Sequence, residues 1–237
     1  MRPIEFLYKS LLLLFVLLVP MQLNCQDVAQ NSTSVFEGTA PTIDGKIEQT
    51  EWQDATVFEL TNGGRAYLKY DVQCLYIGVR GVKAGWGHLY LNDGVSTDVS
   101  VIHASAALGK SVYKLDQKKL WQPSNQFKWE MRDNTITAET RRRMDAYLMQ
   151  NGWVSSNNNM GNSMEIEFAV SRQAFAGKSL RLAIVYVADG TESQFFPATL
   201  ADDTLKPRLL SGNTPPDLKF NTDQWAQVTF LRKQQGN

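Results

Sequence analysis

Short runs rich in Val, Ile, Tyr and Phe recur along the chain, and Gly, Asn or Asp bound most of them. The runs occupy residues 57–60, 66–70, 75–79, 88–91, 98–102, 164–170, 180–187, 194–196 and 226–231. β-Branched and aromatic residues favour extended backbone and the bounding residues favour turns, so each run predicts a short strand. Many short strands with turns between them are typical of two packed antiparallel sheets. We therefore expect an all-β fold, an antiparallel β-sandwich of the jelly-roll or immunoglobulin-like kind.

The run at 164–170 has the period of two that marks a strand with unlike faces. Its apolar set is Met164, Ile166, Phe168 and Val170, and the set between them is Glu165, Glu167 and Ala169. This alternation predicts that the first set faces the core and the second faces solvent. We accordingly expect the two glutamates to be a solvated strand face and not a catalytic acid and base.

Residues 136–150 break the strand pattern, because good helix formers dominate them. Three apolar residues fall on one stripe of such a helix, namely Met144, Tyr147 and Leu148. Gly152 follows, and glycine is a common helix stop. We predict one helix, within a long insertion at about 104–163 between strands of the sheets.

The first residues form a targeting pattern. Arg2 and Lys9 precede an apolar run at 11–19, which Pro20 and a polar stretch close. A permanent membrane span needs about 20 apolar residues, whereas this run fits the apolar part of a secretory signal. We predict a signal peptide at 1–25, with cleavage between 25 and 29, and hence an exported protein that is periplasmic or secreted.

The rest of the chain shows no repeat, no Pro-rich or Gly/Ser linker and no further membrane span. We expect a flexible lead at 26–37 and a single domain at 38–233. A lipid anchor on Cys25 is the alternative to cleavage into a free protein. It is disfavoured, because Gln22 and Asn24 stand where a lipobox places Leu and a small residue.

Charge and residue counts exclude several classes of protein. The 24 Lys and Arg balance 24 Asp and Glu, so no excess of positive charge attracts nucleic acid. Two cysteines cannot form a four-cysteine zinc site. Loss of the signal leaves only Cys74, in a strand-like run, which we expect to be a small buried hydrophobe. No G-x-S-x-G, H-E-x-x-H, phosphate-loop or dinucleotide motif is present, which favours a protein that is not an enzyme.

Residues 40–55 read APTIDGKIEQTEWQDA. They resemble the opening of the family 9 carbohydrate-binding modules and of the wider group of DOMON-like sandwiches, I-D-G-x-x-x-E-x-x-W-x-x-A. The matching positions are Ile43, Asp44, Gly45, Trp52 and Ala55, while Gln49 departs from the acidic position. Residues 66–79 and 164–175 resemble later strands of the same group. The resemblance implies a β-sandwich that binds a glycan or a small polar ligand without catalysis.

The resemblance is poor between about 81 and 163, and most of the exposed aromatic candidates fall there. Sugars bind to aromatic faces together with a few hydrogen-bonding side chains. The candidate ligand-binding residues are Trp86, His88, Trp121, Trp129 and Trp153. For each tryptophan the alternative is packing within the insertion, and we assign Trp52 and Trp225 to the core of the fold.

Two other functions stay open at this point. The DOMON-like group includes haem-binding redox domains, in which His103 or His88 with a methionine would be the axial ligands of haem b. A cell-envelope accessory domain that docks on another protein and has no small ligand is the third hypothesis. Asp189-Gly190 and Asp202-Asp203 are compatible with a structural calcium ion or with ordinary turns. No feature of the sequence indicates an oligomeric state.

Overall fold

Two β-sheets form the described part of the chain in the computed structural model, which covers residues 32–105, 107–124, 128–132, 137–157, 163–175, 179–188, 193–200 and 220–232. The strands are β1 (Ser32–Phe36), β2 (Thr56–Glu59), β3 (Arg65–Tyr70), β4 (Cys74–Arg80), β5 (Gly85–Asn92), β6 (Asp98–Ala104), β7 (Ala107–Leu115), β8 (Trp121–Pro123), β9 (Lys128–Arg132), β10 (Trp153–Asn157), β11 (Glu165–Ser171), β12 (Leu180–Ala188), β13 (Gln194–Phe196) and β14 (Ala226–Leu231). The α-helices are α1 (Gln49–Trp52) and α2 (Ala138–Asn151). The predicted signal peptide at 1–25 lies outside the described residues.

The larger sheet has nine strands in the order β1-β14-β12-β5-β6-β7-β8, with β13 also paired to β12 and β9 to β7. The smaller sheet has the order β10-β11-β4-β3-β2. All of these pairs are antiparallel except β1 with β14. The predicted all-β antiparallel sandwich is therefore confirmed, and each of the nine predicted runs forms a strand.

The main core lies between the two sheets, where alternate residues of facing strands meet. Its fully buried members include Leu68, Ile77, Leu89, Phe168, Leu182 and Ile184. Each buried aliphatic or aromatic side chain of this kind stabilises the fold by roughly 1.5–3 kcal/mol relative to an exposed one. The alternation predicted for residues 164–170 is confirmed for Ile166, Phe168 and Val170, which belong to the core, but not for Met164, which precedes β11 and is 47% exposed.

The outer face of the smaller sheet is also covered, and here the sequence-based expectation was wrong. Residues 40–55, here called the entry segment, cross this face. Ile47 and Trp52 of the entry segment and Met144 of α2 pack on Tyr76 and Ala169 of the sheet. Glu167 shares that face with Ala169, and its relative exposure is 0% instead of that of a solvated residue. Alternation marks which residues share a face of a strand, but a distant segment decides whether water reaches that face.

Two predicted boundaries also change. Ser32–Phe36 lies inside the expected flexible lead at 26–37, yet it pairs in parallel with β14 and buries Val35 in the main core. The predicted insertion at 104–163 contains β7 to β10, and these strands belong to the two sheets. The segment is therefore part of the sandwich and not an addition to it. Short polar strands such as β8 lack the β-branched pattern that identified the others. Among the described residues, no helix has the length and apolar character to cross a membrane.

The predicted helix at 136–150 is confirmed as α2, and local signals set both of its ends. The Thr137 side chain accepts a hydrogen bond from the backbone N–H of Thr140 at 3.1 Å, which caps the first turn. Gly152 has φ of 73° and donates its N–H to the carbonyl of Leu148 at 2.8 Å. Only glycine adopts this left-handed conformation without strain, so the helix ends there and the chain enters β10.

Candidate ligand-binding site

The larger sheet places two of the predicted ligand residues on its outer face and a third in the same cross-strand row. Trp86 and His88 lie two residues apart on β5, and His88 is the direct cross-strand partner of His103 on β6. Trp129 lies in the same cross-strand row, since its register partner on β7 is Gly109, which pairs with His103. The side chain of Trp129 lies outside what the structure describes, so only its register position is assigned.

The two histidines form a buried pair. His103 Nδ1 and His88 Nε2 are 2.9 Å apart, and the residues are 5% and 1% exposed. Burial lowers the pKa of His103 to about 4 and that of His88 well below its ordinary value, so both rings are neutral at pH 7. His88 Nδ1 has no hydrogen-bond partner among the described residues. The hydrogen bond between the two rings is thus the main polar contact that the structure gives for this pair.

This arrangement bears on the haem alternative. That alternative pairs one of these histidines with a methionine, whereas each ring here contacts the other histidine at 2.9 Å. Among the described methionines, Met144 of α2 packs on the outer face of the smaller sheet, away from the histidines. The haem alternative stays a prediction that no contact among the described residues favours.

The remaining predicted aromatics lie in two different places. Trp121 is half-buried on the outer side of the larger sheet, where it packs edge-on against Phe220 with ring centroids 5.1 Å apart. Trp153 is 2% exposed in the main core and packs edge-on against Tyr147 of α2 at 5.3 Å. Trp153 therefore belongs to the main core, and because it also lines the cleft described next, its role as a ligand aromatic stays a prediction. Trp52 and Trp225 are buried, as expected.

A cleft of about 160 Å³ lies between the sheets, at the end where β5 finishes and β6, β10 and β12 begin. Its apolar lining comes from Leu91, Ile102, Trp153 and Phe175. Its polar lining comes from Asn92, Asp98, Ser100, Lys110 and Asn151. Apolar surface with a few converging polar groups is the usual composition of a small-molecule site.

The two carboxylates of this cleft already have partners. Asp93 accepts hydrogen bonds from the backbone N–H groups of Val95 at 3.0 Å and Ser96 at 2.6 Å. Asp98 forms an ion pair with Lys114 at 3.5 Å. Lys110, by contrast, has no hydrogen bond or ion pair with another described residue, and burial lowers its pKa. The cleft therefore contains one unpaired cation.

A second cleft, of about 290 Å³, lies between α2, the entry segment and the outer face of the smaller sheet. It is lined in part by Ile43, Cys74, Tyr76 and Met144. Cys74 is buried, as expected, and burial raises the pKa of its thiol, which makes it a poor nucleophile. The Tyr76 hydroxyl donates to Asp71 at 2.8 Å, so this polar group is already satisfied.

A carboxylate cluster that the sequence did not identify fixes the entry segment to the smaller sheet. Glu167 accepts hydrogen bonds from the backbone N–H groups of Asp44 at 2.9 Å and Gly45 at 2.8 Å, and from Trp52 Nε1 at 2.7 Å. Glu165 accepts one from the Ile47 N–H at 2.9 Å. The backbone of Asp44 and Gly45 and the indole of Trp52, three of the positions that carry the resemblance, are thus structural partners of Glu167. The sequence contained both halves of this contact, the motif at 40–55 and the alternating glutamates of 164–170, but nothing in it indicated that they meet.

No metal centre emerges from the part of the chain that the structure describes. Those residues hold no group of three or more His, Cys, Asp and Glu side chains that could bind an ion. The predicted calcium residues Asp189, Gly190, Asp202 and Asp203 lie outside the described residues. The calcium prediction therefore stays a prediction.

Comparison with known proteins gave two similar solved structures. One is a family 9 carbohydrate-binding module from Caldicellulosiruptor kristjanssonii in complex with cellotriose, with 10% identity and a TM-score of 0.42 over 86% of this chain and 95% of that one. The other is a protein from Bacteroides uniformis, provisionally described as carbohydrate-binding, with 8% identity and a TM-score of 0.44 over 84% of this chain and 99% of that one. Neither the family models nor the curated proteins compared with the sequence gave a match. Because both TM-scores lie below 0.5, we take the site from the residues of this chain alone.

Proposed function

We propose that the chain is an exported, non-catalytic carbohydrate-binding domain, and that the cleft between its sheets holds the sugar. The observation that carries this proposal is the convergence of polar side chains over an apolar lining at one end of the sandwich. Lys110 supplies donors, the Ser100 hydroxyl both donates and accepts, and the Asp98 carboxylate accepts. Sugar hydroxyls also donate and accept, so a mixed wall of this kind matches them.

The volume and position of the cleft suit the end of a glycan or a single sugar residue. At about 160 Å³ it has no room for an extended chain, so the rest of an oligosaccharide would lie in solvent. The neighbouring turn at 93–97 is held by hydrogen bonds from Asn92 Nδ2 to the carbonyls of Ser96 at 3.1 Å and Asp98 at 2.9 Å. A wall fixed in this way loses little entropy when a ligand binds.

The test is isothermal titration calorimetry of the mature protein with a panel of neutral and acidic mono- and oligosaccharides. Ser100→Leu adds apolar bulk inside the cleft, and we expect it to weaken sugar binding at least roughly tenfold. Ser34→Leu, at an exposed position of β1, is the matched control and should bind as the wild type does.

Two alanine variants test the other predicted aromatic positions. Trp86 and Trp121 are half-buried on the outer side of the larger sheet, so their role in ligand binding stays a prediction. If Trp86→Ala or Trp121→Ala abolishes sugar binding while Ser100→Leu leaves it intact, the site lies on that outer face and not in the cleft. If no sugar on the panel binds, the carbohydrate-binding proposal itself fails.

A further inference from the structure

Lys110 occupies an unusual position for a lysine. It pairs in register with Ile102 of β6, a residue of the main core, and both line the cleft between the sheets. Its side chain is half-buried, and no other described residue supplies it with an acceptor or a counter-ion. The Lys110 ammonium is not one of the fully buried unpartnered polar atoms, so water still reaches it, but no described carboxylate pairs with it inside the cleft.

Other cations in the described structure are handled differently. Lys69 is fully buried, and its ammonium is 2.9 Å from the Asp54 carboxylate. Arg80 forms an ion pair with Glu165 at 2.6 Å. Each of these groups has an acidic partner from its own fold, which is the ordinary arrangement for a charge removed from water. Lys110 lines the cleft and has no acidic partner among the described residues.

The two carboxylates in the cleft lining have partners other than Lys110. Asp98 pairs with Lys114, and Asp93 accepts the two backbone bonds that hold its turn. Two carbonyls near the end of α2 also have donors, since Gly152 donates to Leu148 at 2.8 Å and Asn151 Nδ2 donates to Tyr147 at 3.1 Å. Among the described residues, Lys110 is therefore the charged group of the cleft that has no counter-ion.

We propose that the cleft selects an acidic sugar, a uronic acid residue whose carboxylate pairs with the Lys110 ammonium while its hydroxyls bond to the polar wall. This inference rests on the proposed function and specifies its substrate class. A charge-assisted hydrogen bond in a partly desolvated site contributes more than a neutral one. A neutral sugar would leave the ammonium with hydroxyl acceptors only, so the carboxylate is the better occupant.

If Lys110 pairs with the uronate, binding should change the protonation of its ammonium group. A purely structural role for Lys110 predicts no such change. Burial lowers the pKa of the free lysine, and a bound carboxylate favours the charged form and raises the pKa again. Binding of the uronate at about pH 9 should therefore be accompanied by net uptake of protons. Calorimetry in two buffers of different ionisation enthalpy measures that uptake directly.

The closing experiment compares glucuronate and galacturonate with glucose and galactose, using the wild type, Lys110→Met and the matched control Lys118→Met. Lys118 is exposed in the turn after β7. We expect the wild type and Lys118→Met to bind a uronate roughly tenfold or more tightly than its neutral counterpart, with proton uptake. Lys110→Met should lose both the preference and the uptake.

The outcomes separate the inference from the proposed function. Equal affinity for uronates and neutral sugars, unchanged in Lys110→Met, would overturn the acidic preference and leave carbohydrate binding in place. Acetate binding as tightly as a uronate would also overturn it, since the site would then recognise an anion and not a sugar. Absence of binding by every sugar would remove the proposed function and the inference together. Proton uptake by the wild type tests the pairing even if Lys110→Met folds poorly.

Discussion

Replacement of Glu167 tests how the entry segment is attached to the smaller sheet. Glu167→Leu removes the acceptor of three hydrogen bonds, from the backbone of Asp44 and Gly45 and from Trp52 Nε1. Leaving a buried donor unpaired costs about 1–3 kcal/mol, and the three bonds share one carboxylate, so their contributions overlap. We expect a loss of about 4 kcal/mol of unfolding free energy in urea titrations followed by tryptophan fluorescence.

The matched control is Glu59→Leu, on the edge strand β2. Glu59 pairs only with Arg65, and both side chains are more than half exposed, so its replacement should change the unfolding free energy by less than about 0.5 kcal/mol. A loss of less than about 1 kcal/mol for Glu167→Leu would refute the assigned role of the cluster. The entry segment would then be held mainly by apolar packing of Ile47 and Trp52.

The pH dependence of Glu167→Gln gives an independent check. Burial raises the pKa of Glu167 to about 8 in the folded protein, against the opposing effect of its N–H donors, while the unfolded value is near 4.5. A raised folded pKa contributes stability that is complete below about pH 4.5 and is lost as the pH rises through about 8. From about pH 5 to 8 the wild type should therefore lose roughly 3 kcal/mol relative to Glu167→Gln, which does not titrate. Parallel stability curves for the two proteins would contradict the burial of an ionisable group here.

Three further predictions follow from the other sites. The folded pKa of His103, about 4, lies below its unfolded value of 6.5, so stability is complete above about pH 6.5 and falls at lower pH. From pH 8 to 5 the wild type should lose roughly 2 kcal/mol through His103 and a further amount through His88, relative to a His88→Gln/His103→Gln variant in urea unfolding. An equal loss in both proteins would exclude the pair as the cause. Trp153→Ala should cost about 3–5 kcal/mol and half-exposed Trp86→Ala clearly less, compared by the same assay; the reverse order would contradict the core position of Trp153. Absorbance of protein expressed with haem supplied should show only the aromatic band, whereas a Soret band lost in His103→Ala would establish the haem alternative.

Much of the fold was predictable from the sequence, because its signals are local. Strands such as β11 and β12 were identified by their apolar residues and bounding turns, and α2 by its helix-forming residues and by Gly152 after its end. In each case neighbouring residues fix the backbone conformation through steric preference or a hydrogen bond within one turn. β8 and β9 were missed, because their pairing with β7 compensates for a weak local preference.

The candidate site was less predictable than the fold. Aromatic type and polar surroundings selected Trp153, but whether an indole faces solvent depends on which layer covers it, and here α2 and the second sheet do. Lys110 was not selected, because a lysine in a strand is ordinarily solvated. Its significance comes from its position between the sheets, where the carboxylates lining the cleft already have partners.

Local residue preferences specify nine of the strands, the one long helix and a chain able to form a two-layer core. Only the folded arrangement buries Glu167, brings His88 and His103 together and places Lys110 in a cleft where no other described residue pairs with it. Glu167 and Trp52 are separated by 115 residues, so no local preference reports their contact. Burial and charge balance depend on what packs over a residue, and that partner is set by the assembly of the whole sandwich.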